Sequence, residues 1–423
     1  MLIRGGHILD PVNQTDLYAD IRIKGDRISR IGLNLCASEK EDVIEADGLV
    51  VAPGLIDTHV HFRDPGQTWK EDLTTGAAAA AAGGFTTVVC MANTVPPVDT
   101  PDTLEDILQR GRETDIRILQ VSALTKGLKG KELVDMRAMA EHGASGFSDD
   151  GIPLLDEALL REAMVTAKEL SLPISLHEEH PSFVHGAGVN KGLISARIGY
   201  GGAEGLAEEV MTARDCMLAL ATGAKVCIQH VSSAKSVEII RHAKKMGADI
   251  HGEATPHHFT LTEEAVLQYG TNARMNPPLR TEEDRLAIIE GICDNTLDVI
   301  VTDHAPHSRE EKNKPLAQAP SGIIGLETSL ALGIKALVRP GHLTLLQLLE
   351  RMVKGPCSLY GLPYKGIKEG AFADLVIFDE KQIWRADHFH SKSCNSPFMG
   401  WELPGKIRAT VCHGKIAYKE ELL

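Results

Sequence analysis

No stretch of the 423 residues reaches the roughly 18 consecutive apolar positions that a membrane-crossing helix needs. The alanine run at 77–82 is too short to span and reads as a close-packed helix. The opening Met1-Leu2-Ile3-Arg4-Gly5-Gly6 lacks the basic-then-apolar layout of a secretion signal, reads as a first strand, and sets the expectation of a cytoplasmic protein. There is no dense Lys/Arg block, and the formal net charge is −14 with histidine neutral. Such a chain repels nucleic acid and acidic headgroups, so neither is an expected partner. An anionic substrate would have to be met by locally placed arginine and metal. None of the eight cysteines forms a CxxC pair, so they are expected to be reduced and mostly buried. No glycine-rich phosphate loop follows the first strand of the repeating pattern described next, which counts against a doubly wound open sheet.

What is present is a repeat of pattern. Short apolar segments rich in β-branched residues alternate with longer helix-like ones. The predicted strands are 54–61, 85–91, 116–122, 144–148, 173–178, 225–231, 248–254 and 298–302. Predicted helices include 103–113, 154–170, 208–220, 234–246 and 282–294. Eight strand–helix units over about 300 residues point to an α/β fold, a closed (β/α)8 TIM-like barrel. Both ends look different, with strand-like pieces and turns in 1–52 and 367–423. These are expected to form one small β domain, with the barrel at 53–366 inserted between them.

Chemistry collects at the predicted strand ends. In a strand, side chains two apart share a face, so His59 and His61 aim together. Two converging imidazoles suit a zinc-type ion, although an HxH alone is a weak signal. Strand four ends in Ser148-Asp149-Asp150-Gly151, strand five carries His177, strand six His230, and strand eight runs into Asp303. The C-terminal strand ends form the active face of such barrels. Burying so many polar groups there without metal or partners would be costly. His388 and His390 form another HxH in the terminal region, away from any barrel strand end, and read as surface or packing residues. His177 and His180 lack HExxH spacing, and His257 and His258, near the active rim, read as structural or as supports behind the ligands. Gly83-Gly84 reads as a tight turn.

Several segments resemble the amidohydrolase superfamily and, within it, the dihydroorotases: PGLIDTHVHFR (53–63), MANT (91–94), MNPPLR (275–280), TDHAPH (302–307), GLET (325–328) and GAFADL (370–375). The resemblance covers nearly the whole chain. It implies two adjacent metals, one held by His59, His61 and Asp303, the other by His177 and His230. It also implies a bridging carboxylate in place of the carboxylated lysine of many superfamily members, with Asp150 preferred and Asp149 as the alternative. Zinc is the expected ion, one or two per chain, with manganese or cobalt as substitutes. Asp303 would be both ligand and catalytic acid–base. Arg63, Asn93 and His307 would hold a substrate carboxylate, Asn276 the ring amide edge, and backbone near Ser321 and Gly322 would complete the pocket. The implied reaction interconverts N-carbamoyl-L-aspartate and L-dihydroorotate. A homodimer is implied, and some relatives associate with aspartate transcarbamoylase. The polar, proline-bounded segment 305–320 is expected to be a mobile lid.

The competing readings are an allantoinase or hydantoinase, a mononuclear deaminase on the same barrel, and a non-catalytic homologue acting as a scaffold. Most substrates of the first pair lack a carboxylate, and their enzymes usually keep the bridging lysine, so Arg63 and Asp150 argue against them. A deaminase would not need an aspartate bridge. Scaffold homologues typically lose ligands, and all six are present here.

Overall fold

A computed structural model describes residues 1–420. In chain order the strands are β1 (Leu2–Asp10), β2 (Thr15–Lys24), β3 (Arg27–Gly32), β4 (Val43–Glu45), β5 (Val50–Pro53), β6 (Leu55–Val60), β7 (Phe85–Cys90), β8 (Arg117–Gln120), β9 (Ile174–Leu176), β10 (Val226–Ile228), β11 (Ile250–Ala254), β12 (Val299–Ile300), β13 (Leu375–Arg385), β14 (Glu402–Cys412) and β15 (Lys415–Lys419).

The barrel closes through backbone that is barely strand-like. Strands β6, β7 and β8 pair in parallel, as do β9 to β12. The two arcs meet on one side at Phe147, which bridges in parallel to Ser122 and to Ile174. Phe147 N–H donates to Pro173 O at 3.0 Å, and Ser175 N–H donates to Phe147 O at 2.9 Å. On the other side His61 N–H donates to His304 O at 2.9 Å. The buried Asp57 carboxylate accepts from the Thr302 and His59 amides, tying the first barrel strand to the last. The predicted fourth strand is therefore one bridged residue, and the predicted eighth is two. Their neighbours are polar chain turning into the mouth, so little regular ladder remains.

Caps set the helix boundaries. The helix Glu157–Leu170 starts three residues after the predicted position because Asp156 accepts from Ala158 N–H and Leu159 N–H. Thr281 and Asp284 form a capping box at the start of Glu282–Cys293. Behind the first strand, Leu73–Ala82 is the close-packed alanine helix. The turn after it needs glycine: Gly84 has φ +88°, and a Cβ there would lie 2.7 Å from Val376.

The two termini form one sheet, in the order β15-β14-β13-β5-β1-β2-β3, with β4 beside β1. Strand β5 is the seam. It runs parallel to β1 and antiparallel to β13, one residue before the barrel begins. Ile3, Ile8, Ile21, Ile44, Val51, Leu375, Ile377 and Val411 pack into a core separate from the barrel's. No helix among the described residues is long and apolar enough to cross a membrane.

Candidate metal centre

All six predicted ligands converge at the C-terminal mouth of the barrel. His59 and His61 come from the end of β6, His177 and His230 follow β9 and β10, Asp150 follows the Phe147 bridge, and Asp303 follows β12. Asp150 is common to two groups whose ligand atoms lie within 4.8 Å of one another: His59 and His61 in one, His177 and His230 in the other. Its Oδ2 lies 3.4 Å from His61 Nε2. Its Oδ1 lies 3.3 Å from His59 Nε2, 3.6 Å from His230 Nε2 and 3.8 Å from His177 Nδ1. Asp303 Oδ1 sits 3.1 Å from His61 Nε2. Asp149 points elsewhere. It accepts from Leu124 N–H at 2.7 Å, Thr125 N–H at 3.1 Å and the Thr125 hydroxyl, so its lone pairs are spent on a loop.

The ring tautomers are set from outside the cluster. A carboxylate or amide oxygen only accepts, so a ring nitrogen bonded to one carries the proton. His59 Nδ1–H donates to Glu253 at 2.9 Å, His61 Nδ1–H to Asn93 Oδ1 at 2.8 Å, and His177 Nε2–H to Glu179 at 3.1 Å. Each ring thereby turns its other nitrogen inward, toward Asp150 or Asp303, the orientation expected around a metal. His177 Nδ1 and His230 Nε2 face each other at 2.9 Å. His59 Nε2 and Asp150 Oδ1 are buried with no hydrogen-bond partner. Unpaired buried polar atoms of this kind are costly, and a cation between them removes the cost. Charge agrees. Burial opposes ionisation of Asp150, yet the His59 charge and the close His230 and His61 imidazoles hold its carboxyl well below the usual range. Burial likewise opposes a charged His59, and Asp150 and Glu253 outweigh it and raise its pKa. The cluster demands positive charge, and the donor set fits a divalent metal.

Three residues at this mouth adopt left-handed backbone although none is glycine: Arg63 at φ +59°, His230 at +34° and Asp303 at +50°. Each redirects the chain at a strand end.

Beside the cluster lies a cavity of about 200 Å³, lined by Arg63, Asn93, Asn276, His307, Ser321 and Gly322 as well as by His61, Asp150, His177, His230 and Asp303. All six predicted substrate residues therefore share one wall system. Asn276 Oδ1 is buried and unpaired. His307 Nε2 lies 2.9 Å from Ser321 O and therefore donates. Burial, then Arg63, Lys70 and Lys312, lower its pKa and keep the ring neutral. Asn93 is busier than expected, since its Nδ2 also donates to Asp150 O and Oδ2. Gly322 has φ +116°, and a Cβ there would lie 2.6 Å from Ala305.

Segment 305–320 is pinned. Lys312 Nζ donates to Pro320 O and Gly322 O at 3.0 and 2.9 Å, and Arg274 donates to the Leu316 and Ala319 carbonyls. His258 bonds to Thr255 and to Pro277 O and so anchors the Asn276 loop, while burial pushes His257 down to about 4. His388 and His390 are exposed. Another cluster, Asp374–Cys412–His413, has the Arg117 guanidinium 3.3 Å from Asp374 and 3.1 Å from His413, which opposes a cation. Sequence reasoning missed Glu253, Glu179 and Asn395. A glutamate inside the buried strand β11 was the one available signal.

Fold and site together define an amidohydrolase-type barrel with a metal-cofactor site at its mouth. Solved structures agree. An L-hydantoinase (dihydropyrimidinase) from Arthrobacter aurescens superposes with a TM-score of 0.85 at 26% identity, covering 100% of this chain and 97% of that one. A D-hydantoinase (dihydropyrimidinase) from Thermus sp. gives 0.86 at 25% identity, covering 99% and 95%. A family model described as "Dihydro-orotase-like" matches residues 48–236. The dihydroorotase of Clostridioides difficile (strain 630) is 55% identical over 418 residues, 99% of each chain. That of Clostridium acetobutylicum is 48% identical over 423 residues, 100% of each. The chain belongs to the dihydroorotase family.

Proposed function

We propose that this protein is a dihydroorotase, interconverting N-carbamoyl-L-aspartate and L-dihydroorotate in pyrimidine biosynthesis. The observation that carries the reading is Arg63, which faces the same cavity as the Asp150-centred ligand set. A guanidinium beside a hydrolytic metal site suits a cyclic amide that bears a carboxylate. Hydantoin-type substrates mostly offer no such group.

His59, His61 and Asp303, with Asp150, would hold one metal, and Asp150, His177 and His230 the other. Zinc is the proposed ion, and manganese or cobalt are the alternatives. When bound, the metal acidifies water and polarises the scissile carbonyl oxygen. Arg63, with His307 and Asn93 on the same wall, fixes the substrate carboxylate, and the free Asn276 Oδ1 accepts from a ring N–H. Asp303 takes the proton of the attacking water and delivers it to the ring nitrogen as the C–N bond breaks. In the synthetic direction the nitrogen attacks the carboxyl carbon, protonated Asp303 gives its proton to a carboxyl oxygen, and it then carries the proton shed by the nitrogen to that same oxygen, which leaves as water. Residues 53–366 form the proposed catalytic domain, 1–52 and 367–423 the small β domain, and a homodimer is the proposed assembly.

The test is dihydroorotate hydrolysis before and after chelation, with metal restored, beside an Arg63→Met variant. Turnover should vanish on chelation and return with zinc. Arg63→Met should lose most of its activity on dihydroorotate, and unchanged turnover in that variant would remove the reason for choosing this substrate.

A further inference from the structure

Between β13 and β14 the chain leaves the terminal sheet and crosses to the barrel mouth. Ser391, Ser393, Asn395 and Ser396 are buried there. The Ser393 hydroxyl donates to Lys70 O at 2.8 Å, the Ser391 hydroxyl donates to Glu71, and Glu327 accepts from His390 N–H and Ser391 N–H. None of these residues has a part in the reaction proposed above.

Asn395 is the buried strap residue whose side chain bonds to the 305–324 loop. Its Oδ1 accepts from His307 N–H at 3.1 Å, and its Nδ2 donates to Ala305 O at 3.0 Å and Gly322 O at 3.1 Å. Its backbone carbonyl accepts from Ile324 N–H at 3.0 Å. One amide thus holds both arms of the 305–324 loop: 305–307, which carries His307, and 321–324, which carries Ser321 and Gly322. Ala305 N–H donates to Ile323 O at 2.8 Å, and His307 Nε2 donates to Ser321 O, so the ring's direction depends on how the arms register against each other. No other short side chain offers one acceptor and two donors in this geometry.

We propose that Asn395 is a positioning residue through which the terminal domain sets the substrate-carboxylate wall of the pocket. The proposal rests on reading that wall as the carboxylate site. Asn395→Asp keeps the acceptor for His307 but loses both donors and brings a negative charge against two carbonyls. Asn395→Ala removes all three side-chain bonds.

The experiment compares Asn395→Asp and Asn395→Ala with Thr410→Val. The Thr410 hydroxyl, on β14, donates to Ala81 O at 2.6 Å on the alanine helix, so its loss lowers stability without touching the pocket. Steady-state kinetics on dihydroorotate, metal content and amide hydrogen exchange are measured for each. The Asn395 variants should raise KM about tenfold or more, keep kcat within about threefold, retain wild-type metal content, and speed exchange at 305–307 and 321–324. Thr410→Val should lower the Tm without moving KM or exchange in those segments. Unchanged KM and exchange in the Asn395 variants, or the same changes in Thr410→Val, would overturn the proposal. If Asn395→Ala does not fold, Asn395→Ser, which keeps a donor and an acceptor at shorter reach, carries the comparison. If the wild type turns over no dihydroorotate, the functional reading fails and the exchange comparison alone decides the positioning role.

Discussion

At the scale of single residues, the centre is organised by the groups that hold the imidazoles rather than by the imidazoles alone. Glu253 fixes the His59 tautomer and also accepts from His230 N–H at 3.3 Å, so one buried carboxylate steadies a ligand in each of the two groups. Glu253→Gln keeps an acceptor but removes the charge. Metal affinity should fall on the order of 10- to 100-fold, and further in Glu253→Ala. Chelator competition measures this, and affinities equal to wild type would contradict it. The two adjacent aspartates separate cleanly. Asp150→Asn should lower the number of metals retained, whereas Asp149→Asn should leave it unchanged and loosen the Leu124–Thr125 loop, as metal analysis and a melting curve would show. Asp303→Asn should cost roughly 10²- to 10⁴-fold in kcat, in keeping with the loss of a proton-transfer group. The HxH and the strand-end positions were legible because the two-residue period of a strand is written in the sequence. Glu253 was not, because its partner His59 lies 194 residues upstream.

At the scale of elements, strands and helices were legible where their periodicity was long. The helix predicted at 234–246 ends within a residue of Ala234–Lys245. The short elements were not. The predicted strand at 144–148 survives only as the Phe147 bridge, because polar chain on its far side turns at once toward the metal site. Segment 305–320 was read as a lid from its polarity, but polarity does not reveal that Lys312 and Arg274 turn inward to satisfy carbonyls. Lys312 gives this anchoring a pH signature. Burial, then repulsion from Arg274, brings its pKa from 10.5 down to about 7, partly offset by Glu311. Between those values the unfolded chain binds more protons than the folded one, so this residue adds stability as pH rises from about 7 and loses it as pH falls back through 7. Lys312→Met should flatten the rise in stability from pH 7 to pH 10 relative to wild type, as denaturant unfolding at each pH would measure. An identical slope would show that Lys312 is not buried in solution. Limited proteolysis addresses the lid directly. Equal cleavage at 305–320 with and without saturating ligand would show that ligand binding does not act on this segment.

At the scale of the whole molecule, the terminal sheet and the barrel are joined where β5 runs into β6 and again at the 386–400 strap. The sheet was visible in the sequence as turn-punctuated strands at both termini, whereas the strap was not, since nothing local marks a serine- and asparagine-containing loop as reaching another domain's pocket. Against a net charge of −14, the proposed binding of an anionic substrate would fall on Arg63 and bound metal, so cation loss should weaken substrate binding as well as turnover. The central claim is that side chains spread from His59 to Asp303 enclose metal around Asp150. An anomalous-difference map from crystals grown with zinc tests it most directly. Two peaks should flank Asp150, one toward His59 and His61 and the other toward His177 and His230. A map with no peak beside Asp150, or with its only peak at Asp374–Cys412–His413, would contradict the account.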